Sequence, residues 1–292
     1  MTGAPRLAKG FPLVKPVRPY RVESGHPDYP RRASGGGPLH VRGILRDCER
    51  SVAIVGSRAA RVESVGLAYE LAKAWAARGD LIVSGGAIGV DAAAHRGALE
   101  GNGTTWAVLG SGVDVPYPSR HASLYDQIVA QGGAILSPFE LGAPPIAHHF
   151  VQRNRVIAAL ADAVVVVAAE TGSGSLHTAR FAMDLGRRVL AVPGTRGADQ
   201  LIAMGAAVCE RAEDLDVARS APPVAIDAGS DEAAVLAVLD VRVGRSTDEI
   251  ALASGLSASR AGAALFELDL RGLAIALPGR IYVRSTVLAE AC

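Results

Sequence analysis

The chain has 292 residues, enough for one large domain and a smaller one. It is 49% hydrophobic but only 4% aromatic, with 33 glycines, which suits a Val/Ala/Gly-rich parallel sheet between helices better than an aromatic-cored sandwich. The formal net charge of +1 excludes a uniformly basic protein, although residues 1–50 carry ten Lys/Arg against four Asp/Glu. Residues 51–217 carry thirteen against sixteen, so a nucleic-acid site there has to be a local arginine cluster.

In chain order, residues 1–48 are rich in Pro, Gly and Arg, are broken by Gly35-Gly36-Gly37-Pro38, and predict an extended, partly mobile segment. From residue 49 to 217, short apolar runs at Val52–Val55, Leu81–Ser84, Trp106–Leu109, Ala134–Leu136, Val164–Val167 and Val189–Val192 read as buried strands. Helical patterns at Glu63–Ala77, Asp91–Glu100, His121–Gln131, Gln152–Leu160 and Ser175–Leu185 fall between them. Such alternation requires crossover connections and a parallel sheet covered on both faces, an α/β Rossmann-like domain. Residues 218–230 read as a linker. Within 231–286, helical patterns at Asp231–Leu239, Thr247–Ala253 and Ala258–Leu270, with Gly272 placed to stop the last, precede a hairpin about Pro278-Gly279. That is the order of a winged helix.

Three cysteines, Cys48, Cys209 and Cys292, have no metal-ligand spacing and read as reduced thiols. The first thirty residues lack an apolar signal core, and the longest apolar run, Ala163–Ala169, is too short to cross a bilayer. A soluble, cytoplasmic protein without metal or cofactor is expected.

Ligands of open α/β sheets bind beyond the carboxyl ends of the strands. There the first strand gives Gly56-Ser57-Arg58, where glycine admits a phosphate and arginine offers a charged fork. The second gives Ser84-Gly85-Gly86-Ala87-Ile88-Gly89-Val90-Asp91, whose glycines suit close approach to an anion and whose Asp91 is placed to cap the next helix. The third leads into Pro116-Tyr117-Pro118, a stiff corner able to carry a stacking ring, although packing against the sheet edge is the role expected of Tyr117. Phe150, Arg153, Asn154 and Arg155 put one ring, two cations and an amide around a helix start, the chemistry that stacks bases and follows phosphates. The plainer alternative has Phe150 in the core and both arginines solvated. Ser173-Gly174-Ser175 opens another helix as an anion cradle, while His95 reads as a buried polar residue without chemistry.

Taken in order, Gly56-Ser57-Arg58, Ser84 through Leu99, Ala107-Val108-Leu109-Gly110 with Tyr117-Pro118, Phe150 with Arg153-Asn154-Arg155, Ser173-Gly174-Ser175-Leu176 with Thr178-Ala179, and Ala191-Val192-Pro193-Gly194 resemble the DNA-processing protein A (DprA/Smf) family. The resemblance spans roughly residues 26–215, with Tyr29-Pro30 and Pro38 through Gly43 resembling the short extended segment before the family's fold. It departs from the family pattern at Ile88, at His177 and at Gly197-Ala198-Asp199.

What the resemblance implies is an extended Rossmann-like domain that binds single-stranded DNA, protects it, and helps load a RecA-type recombinase in natural transformation. It also implies a homodimer and no catalytic residues. An alternative is a phosphoribohydrolase-like enzyme of the related fold, which needs a carboxylate at the turn that Ser173 through Thr178 supply without an acid. Glu170 lies before that turn and Asp184 after it. A duplex reader is disfavoured, since residues 231–286 hold six Arg against seven Asp/Glu, and the would-be recognition helix offers only Arg260 before Arg271. The C-terminal unit is therefore expected to contact protein or to play an auxiliary part.

Overall fold

A computed structural model describes residues 18–24, 26, 28–33, 37–46, 48–217, 227, 229–240, 243–270, 273–277 and 281–284. Gly35-Gly36, Arg271, Gly272, Pro278-Gly279, Cys292 and the linker, apart from Asp227, Gly229 and Ser230, lie outside the described residues.

Strand β1 (Tyr20–Val22) and β2 (Leu39–Gly43) come first, then β3 (Ser51–Gly56), α1 (Val62–Ala77), β4 (Leu81–Ser84), α2 (Val90–Glu100) and β5 (Thr105–Val108). Helix α3 (Ala122–Ala130), β6 (Ala134–Ser137), α4 (Ala147–Leu160), β7 (Ala163–Val167), α5 (Gly174–Asp184) and β8 (Arg188–Ala191) follow. Helix α6 (Arg196–Ala203), β9 (Ala207–Val208) and α7 (Asp214–Val217) complete the larger unit. The nine strands form one sheet in the order β1-β2-β6-β5-β4-β3-β7-β8-β9. Strands β3 to β9 run parallel, and the order reverses beside β3, which pairs with β4 on one side and β7 on the other.

Strands buried on both faces need apolar side chains at every position, which is why β7 reads Ala163-Val-Val-Val-Val167 without alternation. On one face, Val52, Ile54, Val165 and Val167 pack with Trp75 of α1 and the Ala93/Ala94 pair of α2. On the other, Ala53, Val55, Val164 and Val166 meet Ile157 and Leu160 of α4 and Ala179 and Ala182 of α5.

Residues 1–17 lie outside the described residues, and the described part of the N-terminal segment is more ordered than its composition predicts. Strand β2 pairs antiparallel with β6, from His40 opposite Ser137 to Gly43 opposite Ala134, and β1 pairs antiparallel with β2. The parallel core therefore gains an antiparallel edge. At Gly43, φ is +127° and a Cβ would lie 2.3 Å from the Gly133 carbonyl oxygen, so only glycine allows the strands to approach there. Helix α6 was also unforeseen from the sequence. Its Gly197 and Ala198 are buried because the helix backbone comes close to Ala169, where a Cβ on Gly197 would meet the carbonyl at 2.8 Å.

The smaller unit contains α8 (Asp231–Val238), β10 (Arg245–Ser246), α9 (Thr247–Ser254), α10 (Ala258–Leu270), β11 (Ala274–Leu277) and β12 (Ile281–Arg284). Its sheet runs β10-β12-β11, and Val235, Ile250, Leu265 and Leu268 fill its core. Ser246 and Glu249 form a capping box at the start of α9. This is the winged-helix arrangement. Arg180 of α5 joins the two units, donating to the Asp269 carboxylate at 3.0 Å and to the Ala274 carbonyl at 3.3 Å.

Arg32 fastens the N-terminal segment to the sheet. Its Nε donates to both Asp162 carboxylate oxygens at 2.8 and 2.7 Å, and its Nη2 to the carbonyls of Cys48 and Glu49. Burial alone would raise the Asp162 carboxyl, but hydrogen bonds from Arg32 and the Ser51 N–H outweigh it and hold it below the usual carboxylate range. A carboxyl depressed on folding contributes its stability above the unfolded value and loses it as pH falls through the folded one. Arg32→Ala is thus expected to destabilise the protein by about 1–2 kcal/mol at neutral pH, discounted for partial exposure. The gap between the two melting curves should narrow as acid protonates Asp162, leaving the part carried by the bonds to Cys48 and Glu49, and a gap that does not narrow would show that the Asp162 pair contributes nothing.

Candidate nucleic-acid interface

The site lies at the carboxyl ends of β3, β4 and β5, where helix α4 crosses the loops that leave them. Helix α4 starts at Ala147, five residues before the start expected from the sequence, so Phe150 through Arg155 lie inside the helix and not at its mouth. The arrangement of those residues follows from helical geometry: each step turns by about 100°, so an adjacent pair can share the buried side while the next residue faces out. Arg153 and Asn154 turn into the protein and are 5% and 8% exposed, Arg155 is exposed, and Phe150 is half-buried.

Arg153 is a structural cation. Its Nη1 donates to the Val108 carbonyl at 2.7 Å and to the Gly85 carbonyl, and its Nε donates to Asn154 Oδ1 at 3.1 Å. Asn154 in turn donates from Nδ2 to the Gly174 carbonyl at 3.0 Å. The pair therefore ties together the loops after β4, β5 and β7. Burial pushes the Asp91 carboxyl up and the Arg153 guanidinium down from their ordinary values, and each charge opposes the other's shift.

The glycine-rich loop after β4 is packed against protein atoms. A Cβ at Gly85 would lie 2.2 Å from Arg153 Nη1, and one at Gly86, where φ is +70°, would lie 2.6 Å from the Tyr125 hydroxyl. Tyr125 donates to the carbonyls of Gly86 and Tyr117, and His121 Nδ1 meets the same Gly86 oxygen at 2.9 Å. Ser84 is fully buried and donates to the Ile54 carbonyl at 2.6 Å. These observations revise the phosphate-contact expectation for Ser84, Gly85, Gly86 and Arg153: as they stand, all four are enclosed and support the surface from beneath.

Asp91 is likewise corrected. The N-cap of α2 is Gly89, and the Asp91 carboxylate instead accepts the backbone N–H of Ala87 at 3.3 Å, holding the loop closed. His95 is fully buried against Thr105, with Nδ1 at 2.8 Å, and burial with the nearby His121, Arg153 and Arg96 charges pushes it down to about 3. It is neutral and structural.

Above this layer sits an open aromatic platform. The Phe150 ring rests on Gly110, where a Cβ would lie 2.8 Å from Cδ1, and Arg58 lies over it with its guanidinium carbon 5.4 Å from the ring centroid. Arg153 approaches the same ring at 5.7 Å, so the ring sits between an exposed and a buried cation. Tyr117, 42% exposed, stands at 5.6 Å from Phe150 with its ring tilted by 51°. It extends the platform rather than packing under the sheet edge, and the Pro-Tyr-Pro corner was the sequence signal for it. Arg58 and Arg155 are exposed and make no ion pair within 4 Å among the described residues.

Gly56 belongs partly to each layer. A Cβ there would lie 1.9 Å from the Val167 carbonyl, so the glycine lets β3 and β7 leave the sheet side by side, and the Ser57 N–H donates to Ala168 at 2.8 Å. At α5, no side chain caps the helix start, Ser173 and Ser175 share a hydroxyl contact at 2.8 Å, and Gly174 opens to solvent. Gly174 is exposed, while Ser175 is 8% exposed and the Leu176 N–H is bonded to the Ser173 carbonyl at 3.1 Å, so the anion cradle expected here opens chiefly at Gly174. Among the described residues no cluster of His, Cys, Asp and Glu is arranged to hold a metal, and no helix is long and apolar enough to cross a membrane.

This layering separates two arginines that look alike in sequence. Arg153→Ala should cost more than about 3 kcal/mol, because it strands the Asp91 carboxylate and two buried carbonyls. Arg58→Ala should stay within about 0.5 kcal/mol of the parent. Denaturant unfolding distinguishes them, and equal stability of the two variants would contradict the assignment.

Comparison with known proteins places the chain in a family. The family model described as DNA recombination-mediator protein A matches residues 22–218, and the DprA winged helix domain matches residues 219–280. Protein Smf of Escherichia coli is 35% identical over 91% of this chain and 74% of its own length. A DprA protein of Mycobacterium tuberculosis is 40% identical over 79% of this chain, which spans only 64% of that relative. The structure of DNA processing protein A from Streptococcus pneumoniae superposes with a TM-score of 0.63 at 34% identity, covering 68% of this chain and 73% of that one. The Helicobacter pylori protein, whose single-stranded DNA binding mode has been described structurally, gives 0.61 at 29% identity over 68% of this chain and 94% of its own. On its sequence, its sheet and its C-terminal unit together, the chain belongs to the DNA recombination-mediator protein A (DprA/Smf) family.

Proposed function

We propose that this protein binds single-stranded DNA along the carboxyl edge of its sheet. The observation that carries the reading is the half-buried Phe150 ring beneath exposed Arg58, with Tyr117 beside it. Unstacked bases have π-faces that such a ring can receive, while a duplex keeps its bases paired inside. The phosphates follow Arg58, Arg155 and the cradle of Ser173, Gly174 and Ser175, with Gly56 and Ser57 at the turn between. Arg153, Asn154, Ser84, Gly85 and Gly86 hold these contacts in place.

Family membership and the Helicobacter pylori relative support the same reading. In it the protein protects incoming DNA and helps load a RecA-type recombinase during natural transformation, as a cytoplasmic homodimer that catalyses no reaction. The winged helix acts as an auxiliary unit, since Arg260 of α10 donates to the Asp231 carboxylate through Nε at 2.8 Å instead of standing free for a duplex. No carboxylate lies between Ser173 and Thr178, so purified protein should release no free base from nucleoside monophosphates in a chromatographic assay.

Fluorescence anisotropy at several salt concentrations tests the binding mode. Single strands should bind more tightly than duplex of equal length, and equal affinity would sink the proposal. Arg58→Ala should weaken binding to all sequences alike and lower the salt slope by about 0.7, one phosphate on a single strand.

Phe150→Ala should differ in kind, removing about 1–3 kcal/mol of stacking with the slope nearly unchanged. Should Phe150 serve only as packing over Gly110, the loss of affinity would track a fall in melting temperature, which is measured alongside.

A further inference from the structure

At the opposite end of the sheet, the amino ends of β4 and β5 border a cavity of ≈ 170 Å³ that the DNA platform does not use. Leu45, Leu81 and Leu160 form apolar walls, and Trp106 and Tyr29 add aromatic ones. Trp106 is 4% exposed, and its buried indole N–H has no acceptor among the described residues. The protein's other tryptophan shows the ordinary arrangement: Trp75 Nε1 donates to the Ala212 carbonyl at 2.8 Å. A buried donor beside a cavity and without a partner calls for an acceptor from outside. The Tyr29 hydroxyl donates to the Gly37 carbonyl at 2.8 Å and forms no bond with the indole.

The charges around the cavity are Asp28, Arg31, Arg32 and Arg46, a net cationic set. Arg32 is committed to Asp162, and Asp28 has His26 at 3.7 Å. Arg46 is exposed and makes no ion pair among the described residues. The size also restricts the occupant, because a cavity of roughly 150 Å³ accommodates a benzene ring. We propose that this cavity binds a monocyclic aromatic carboxylate, its ring between the leucines and aromatic walls, its oxygens accepting from Trp106 and facing the Arg46 guanidinium.

Benzoate is the probe, compared with benzamide, which lacks the charge, and acetate, which lacks the ring. Calorimetry on the full chain should give one benzoate site, with benzamide and acetate each at least about tenfold weaker. Benzoate should also change tryptophan fluorescence saturably. Trp106→Phe should abolish that change and weaken calorimetric binding by about tenfold. Arg46→Ala, on an exposed side chain, should keep the melting temperature and bring benzoate down to the benzamide level. The proposal is overturned if millimolar benzoate shows no saturable binding, if acetate or benzamide binds equally well, or if the folded Arg46→Ala protein binds benzoate as the parent does. No DNA enters the measurement, so its outcome is independent of the single-stranded DNA reading.

Discussion

Everything at the carboxyl edge depends on one buried cation. Arg153 accepts the desolvation that burial imposes because two backbone carbonyls, an amide and the field of Asp91 receive its charge. With Asn154 it clamps three loops that are distant in sequence, and the exposed layer of Phe150, Arg58 and Tyr117 rests on that clamp. A solvated arginine could not do this, since water would satisfy its donors and leave the loops untied. Buried and exposed roles are thus divided between residues a few positions apart on one helix.

The alternation of apolar runs and amphipathic stretches made the central sheet legible, because fully buried parallel strands leave few ways to write Val164–Val167. The edge strands were not legible. Residues 39–43 owe their order to non-local pairing with β6, and nothing in a Pro/Gly/Arg-rich segment announces that partner. The start of α4 was displaced because Pro144-Pro145 and two histidines obscure the apolar period before Gln152.

The glycines teach a different lesson. A glycine that admits a phosphate and one that admits a protein group leave the same letter in the sequence, and only the atoms beside Gly56 and Gly85, the Val167 carbonyl and the Arg153 guanidinium, show that both admit protein. The residue types proposed for the site stood out in the sequence, but their division into buried and exposed layers did not. That division depends on helical phase, which shifts with the true start of α4. The winged helix was legible as a unit from its helix order and hairpin, while its tie to the larger domain through Arg180 and Asp269 was invisible to any local pattern.

The clamp also fixes when the edge can exist during synthesis. Arg153 bonds to residues 68 and 45 positions before it, and Asn154 to one 20 positions after it. A nascent chain that has released β3, β4 and β5 still lacks the helix that closes their loops, and it stays incomplete until α5 has emerged. Local contacts form first and such distant ones late. The carboxyl edge is therefore a late product of folding, and any ligand that selected it would add its binding free energy to the completed native state alone.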